Sequence, residues 1–301
     1  MVPLYNMDIA GVNFRLNGDE ALHLHDSNPV YHPFVQKGGH AKSPIGIDIS
    51  LKLWEKMPKT NGLDQIFDSG NAWSMYRDGE GYCISLDLPS YEEPIWLAKV
   101  NQDFTQATLF CSRELVTRDN GKVHISNPMT YPLDQILLMY ILARRKGLLV
   151  HAMGLISEQR GYLFPGRSGA GKSTMAQGLL QKEGFELLSD DRLVVKKSDD
   201  KFRLYGTPWP GDAGIAQNRS VDLSAIFFLE HGSINRIEAL GKGEAVERLL
   251  SVTSVPWYDR DVLIHILASC GELLNQVPAY KLCFKPGIEV ADLLDRFTES
   301  S

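Results

Sequence analysis

The chain has 301 residues, 44% of them hydrophobic and 23% charged, which places it among ordinary globular sequences and outside the disordered and fibrous classes. A formal net charge of -6, a pI near 5.8 and the lack of any dense Lys/Arg run exclude the broad basic surface that non-specific nucleic-acid binding needs. Nowhere do about 18 apolar residues follow one another, and the N-terminus lacks a secretory pattern, so no membrane association and a cytoplasmic location are expected.

Length alone favours two domains. From Val2 to about Val123 short strand-like runs alternate with turn signals. Gly81-Tyr82-Cys83-Ile84-Ser85-Leu86 follows the turn Arg77-Asp78-Gly79-Glu80-Gly81, and Ala107-Thr108-Leu109-Phe110-Cys111 comes further on. The spacing predicts an antiparallel meander, with Arg118-Asp119-Asn120-Gly121 as a tight turn and 38–44 as a loop. The four cysteines Cys83, Cys111, Cys270 and Cys283 show no CxxC spacing and are expected to be reduced and buried. Trp54, Trp73, Trp96 and Trp257 read as core or interface anchors.

The character changes at Tyr131-Pro132. Leu133, Ile136, Leu137, Tyr140 and Ile141 fall at helical spacing, and the basic end Arg144-Arg145-Lys146 before Gly147 suits the negative pole of a helix. A β-rich domain over 1–130 and a second domain over 131–301 are therefore expected. Leu148 to Ile156 is a near-continuous apolar run of buried-strand type, and Tyr162-Leu163-Phe164 leads straight into a glycine-rich loop. A helix is predicted from Lys172 to about Lys182, with Met175, Leu179 and Leu180 inward and Gly184 as its stop. A strand then runs from Phe185 to Val195. The remainder reads as a Gly/Pro-rich loop from Gly206 to Gly214, a strand over Ser224–Glu230, helices near Glu244–Leu250 and Asp261–Leu274, a strand over Tyr280–Phe284 and a last helix from about Val290.

The loop carries the most specific signal. Gly166-Arg167-Ser168-Gly169-Ala170-Gly171-Lys172-Ser173, followed by Thr174, meets the Walker A pattern GxxxxGK[ST] between a strand and a helix. Glycines let backbone N–H groups wrap a phosphate, the helix start adds positive partial charge, Lys172 neutralises phosphate oxygens and the Ser173 hydroxyl suits Mg²⁺. ATP and Mg²⁺ are the implied cofactors; no NKxD guanine-reading motif accompanies the loop. Phosphoryl transfer also needs carboxylates, for the metal and for the acceptor proton. Asp190-Asp191 supplies them, expected at the C-terminal tip of a neighbouring parallel strand on the loop's edge of the sheet.

His151, the GRSGAGKS loop and Gly184-Phe185-Glu186-Leu187-Leu188-Ser189-Asp190-Asp191, in that order, resemble the catalytic domain of the HPr kinase/phosphorylase family, a P-loop class akin to phosphoenolpyruvate carboxykinase. The resemblance implies an α/β P-loop kinase domain in which Asp190 is the base toward a serine hydroxyl, Asp191 and Ser173 assist the metal with Asp190, Lys172 holds the phosphates and His151 lies near the transferred group. The segment Gly206-Thr207-Pro208-Trp209-Pro210-Gly211-Asp212 is similar to that of smaller HPr-kinase-related proteins of peptide-modification clusters, which implies a peptide or small-protein acceptor. Physically, that segment reads either as a lid or as a fixed aromatic plug. Arg167 and Arg192 are candidates for balancing phosphoryl charge, and Asn218-Arg219 and Asn235-Arg236 rank lower. An ATP-dependent serine or threonine kinase is the leading reading; a nucleotide-binding regulatory protein and a small-molecule kinase remain alternatives. The N-terminal domain, whose role composition does not define, is compatible with acceptor binding, homo-oligomer formation or cover for the catalytic sheet.

Overall fold

A computed structural model describes residues 1–25, 28–36, 45–54, 57–70, 72–180, 183–285 and 289–299. The loop expected over 38–44 lies outside the described residues, as do 181–182. The protein is a mixed α/β chain, largely strands, that divides into two compact units, Met1–Ile141 and Leu142–Ser301.

In the first unit, alternation sets the strands. Ile47, Ile49 and Leu51 turn inward while Asp48 and Lys52 turn out, the period-two pattern of a half-buried strand. The strands are β1 (Val2–Ile9), β2 (Val12–Gly18), β3 (Leu22–His25), β4 (Gly46–Trp54), β5 (Asp64–Asp68), β6 (Trp73–Asp78), β7 (Gly81–Leu86), β8 (Trp96–Val100), β9 (Gln106–Ser112), β10 (Val116–Asp119) and β11 (Lys122–Ser126). Eight form one sheet in the order β1-β2-β4-β9-β8-β7-β6-β5, and β10-β11-β3 form another. The expected meander holds from β5 to β9, but β4 runs parallel to both β2 and β9, and β11 runs parallel to β3. These are non-local pairings whose direction no local turn signal encodes.

Helix α1 (Leu133–Ala143) is buried on nearly every side rather than along one stripe: Leu133, Leu137, Leu138, Tyr140 and Leu142 are all enclosed. The Tyr140 ring stacks on Phe104 with centroids 4.4 Å apart. Its one acidic residue, Asp134, is fully buried and accepts the Tyr31 hydroxyl at 2.7 Å, as burial of a carboxylate requires. Of the basic triplet that follows, Lys146 pairs with Glu272 at 3.0 Å.

The second unit holds β12 (Gly147–Ser157), β13 (Arg160–Pro165), α2 (Lys172–Leu179), β14 (Phe185–Ser189), β15 (Arg192–Ser198), β16 (Lys201–Tyr205), β17 (Ser220–His231), β18 (Arg236–Ala239), α3 (Lys242–Leu250), α4 (Arg260–Gln276), β19 (Ala279–Phe284) and α5 (Glu289–Glu299). All eight strands join one sheet. The pairings β12–β13, β13–β17, β17–β16, β16–β15 and β15–β12 close a ring within it. β12 is paired along both edges and its successive residues are buried on both faces, which is why its sequence is near-continuously apolar; His151 alone along it is not buried. Met175, Ala176 and Leu179 of α2 and Val290 and Leu294 of α5 pack with Phe164, Phe227 and Phe284 of the sheet. Leu180, expected inward, is 47% exposed because α2 ends one residue before it.

The strand expected from Phe185 to Val195 is broken in two. β14 and β15 both pair antiparallel with β12, at Ser157–Gly154 and at His151–Gly147, and Asp190-Asp191 occupies the interruption between them. β13 and β14 thus run in the same direction, but with β12 between them rather than as neighbours.

Candidate active site

Two features of one sheet edge converge. β13 ends at Pro165, the loop turns, and α2 starts at Lys172. Gly169 and Gly171 have φ of 83° and 92°, a left-handed backbone that disfavours side chains, and Gly171 is the N-cap of α2. A Cβ on Gly171 would also stand 2.6 Å from Phe284 Cζ. The cap has no side-chain hydrogen bond, and a helix start leaves its first N–H groups without intrahelical partners. Ser168, Gly169, Ser173 and Thr174 are open to solvent or nearly so, while Lys172 is buried.

Lys172 Nζ donates to the carbonyls of Gly166 at 2.6 Å and Arg167 at 3.1 Å, and lies 3.2 Å from His151 Nε2. His151 Nε2 is closer to Asp191 Oδ1, at 2.8 Å, so we assign its proton to that contact. Burial pulls the Lys172 ammonium below its ordinary value, with Asp191 opposing the shift. The hydrogen bond from His151, ahead of the charge of Arg192, holds the Asp191 carboxyl below the usual carboxylate range. Arg192 Nε stands 3.7 Å from Asp191 Oδ2.

Asp190, also buried, is held differently. Its Oδ1 accepts the Gly211 N–H and its Oδ2 the Ala213 N–H, both at 2.8 Å. Consecutive residues of a regular strand point to opposite faces. The break between β14 and β15 lets both carboxylates line a single cavity of about 320 Å³ with His151, Lys172 and Ser173.

A cavity walled by a helix start and a buried ammonium on one side and two carboxylates on the other suits an anionic ligand with a hard cation. Among the described residues no three carboxylate, imidazole or thiol groups converge on a metal position. Mg²⁺ does not require such a cage: one or two carboxylates, a hydroxyl and ligand phosphates suffice, and Ser173, Asp190 and Asp191 offer that donor set.

The profile of a protein family described as SynChlorMet cassette protein ScmC matches residues 122–289, more than half of the chain. The chain belongs to the ScmC family. Among solved structures, the Hpr(Ser) kinase/phosphatase from Coxiella burnetii is similar over 50% of this chain and 94% of its own, at 14% identity and a TM-score of 0.29. No curated protein matches the sequence.

The ScmC-family match spans the loop, His151 and the aspartate pair, all of which meet at the cavity. Arg167 is exposed and donates from Nε and Nη2 to the Ser251 carbonyl at the end of α3. The lower-ranked arginines serve the surface: Arg219 pairs with Glu186 and Arg236 with Glu238. Trp96 is buried as expected, whereas Trp257 is 72% exposed and anchors no core. All four cysteines are free and buried, and burial pushes the thiols of Cys83, Cys111 and Cys270 up to about 12, which leaves them unreactive. Among the described residues no helix is long and apolar enough to cross a membrane.

Sequence reasoning missed His231 and Asp212, which also line the cavity. His231 ends β17, which runs parallel to β13, so it stands on the loop's edge of the sheet, where ligands of α/β folds bind. The signal was its position at the end of a largely apolar strand.

Proposed function

We propose that this chain is an ATP-dependent kinase that transfers the γ-phosphoryl group to a serine or threonine hydroxyl of a peptide or small protein. The reading is supported above all by one observation: the N-terminus of α2, with Lys172, shares a cavity with Asp190 and Asp191. In this scheme the amides of Gly166 to Thr174 bind the phosphates, and Lys172 exchanges its hold on the Gly166 and Arg167 carbonyls for phosphate oxygens. Mg²⁺, when bound, supplies charge neutralisation at the β and γ oxygens, and Ser173, Asp190 and Asp191 are the residues that would hold it. Asp190 takes the acceptor proton. His151, oriented by Asp191, stands beside Lys172 next to the transferred group. Catalysis would then come from positioning and charge compensation, with one proton transfer.

The cassette in the family description supports an acceptor made alongside this chain. The test is incubation with γ-labelled ATP, Mg²⁺ and, separately, peptides, small proteins and small alcohols. Label on a serine or threonine that disappears with Asp190→Asn is the expected result. Label on an alcohol alone would make it a small-molecule kinase. Saturable nucleotide binding with no label on any acceptor would make it a nucleotide-binding regulator.

A further inference from the structure

The segment from Gly206 to Gly214 contains neither strand nor helix, yet it grips the aspartate break at two points. Thr207, fully buried, donates its hydroxyl to the Arg192 carbonyl at 2.6 Å, on the residue just after the pair. Gly211 and Ala213 each give an N–H to one oxygen of Asp190, on the first residue of the pair. Between these grips Trp209 is buried, and Pro208 and Pro210 restrict the backbone.

The effect on Asp190 is geometric. The last torsion of an aspartate side chain is broad and roughly two-fold, so an untethered carboxylate samples many planes. One donor on each oxygen fixes the plane. Gly211 is a glycine for a reason other than backbone freedom, since its φ lies outside the left-handed region. A Cβ there would stand 2.8 Å from Asp190 Oδ2 and 3.3 Å from Asp191 Cβ. Only a residue without a side chain brings its N–H this close to the carboxylate while leaving both aspartates in place.

We propose that this strap is a fixed positioning element for Asp190, with Gly211 as its contact residue, and not a lid that opens and closes. The assignment rests on the phosphotransfer reading, and it extends that reading to the residue that orients the carboxylate. A displacement of about 1 Å in a reacting group costs on the order of 100-fold in rate.

The test compares wild type, Gly211→Ala and Thr207→Val for turnover, for KM, and for affinity toward a fluorescent ATP analogue with Mg²⁺ and with EDTA. Gly211→Ala should lower kcat about 100-fold with the KM of the acceptor within about threefold, and should lose the gain in nucleotide affinity that Mg²⁺ gives wild type. Its affinity in EDTA should stay at the wild-type value, because the Gly166 to Thr174 cradle is untouched. Thr207→Val, which keeps the shape and removes one hydrogen bond, should show the same split on a smaller scale and guards against misfolding of the alanine variant. Wild-type turnover and an intact Mg²⁺ gain in both variants would overturn the strap. If wild type binds nucleotide in a Mg²⁺-dependent way but labels no acceptor, the kinase reading fails while the binding comparison still decides the strap. If wild type binds no nucleotide, both fall.

Discussion

The two walls of the cavity are built on opposite plans. The glycine-rich wall is largely exposed, shaped by positive φ at Gly169 and Gly171, and ends in helix amides with no side-chain cap. In the aspartate wall Asp190 is buried and Asp191 half-buried, and each carboxylate oxygen there has a named partner: Gly211 and Ala213 on Asp190, His151 and Arg192 on Asp191. One wall carries hydrogen-bonding capacity for a ligand, and the other is already organised. Lys172 joins them, since its ammonium is buried in the first wall and lies beside His151 of the second. The difference teaches that binding and chemistry are separable here, and substitutions should separate them.

The largest effect is expected at the organised wall. Asp190→Asn should reduce turnover by about 1000-fold while leaving nucleotide affinity measured in EDTA within about threefold, because a positioned base contributes 10²–10⁴-fold. An asparagine also turns its NH₂ toward one of two amide donors, so the strap loosens with it. Equal losses in turnover and affinity would break the contrast.

Lys172→Met tests the receiving wall. A ligand at 100 times its Kd stabilises the folded chain by about 2.7 kcal/mol, read as a rise in Tm, and the variant should lose that rise. Burial disfavours the Lys172 ammonium in the folded chain, so bound phosphates should relieve part of that penalty in wild type alone.

His151→Gln should act through Asp191. A carboxyl held below its ordinary value contributes stability that is present above the ordinary carboxylate range and lost as pH falls through the depressed value. Without the imidazole, Asp191 moves back toward the ordinary range, and the acid unfolding midpoint, followed by tryptophan fluorescence, should rise in pH. An unchanged midpoint would show that His151 does not hold Asp191.

The smallest effect is expected at Arg167. Its exposed guanidinium sits on the Ser251 carbonyl, so Arg167→Ala should change stability by about 1 kcal/mol or less and nucleotide affinity by less than tenfold. A larger loss of affinity would place this side chain among the phosphate ligands.

The receiving wall was legible in the sequence because its glycines answer to backbone conformation and its helix to apolar spacing, both local rules. The aspartate pair was legible as residues but not as a break: the apolar stretches on either side, Leu187-Leu188 and Leu193-Val194-Val195, are both buried and suit one strand with a polar stretch within it as well as two strands. The strap was legible as a Gly/Pro-rich segment, yet its grip on Asp190 depends on a contact 21 residues away in sequence. In the first unit the strands followed from alternation. The parallel pairings of β4 with β2 and β9 did not, since direction there is decided by packing across long connections.

A crystal structure with a non-hydrolysable ATP analogue and Mg²⁺ bears most directly on the central claim. The account predicts phosphates on the amides of Gly169 to Ser173, with Lys172 turned onto them and the metal between the Ser173 hydroxyl and the aspartate pair. A triphosphate bound elsewhere, or one facing away from Asp190 and Asp191, would contradict it.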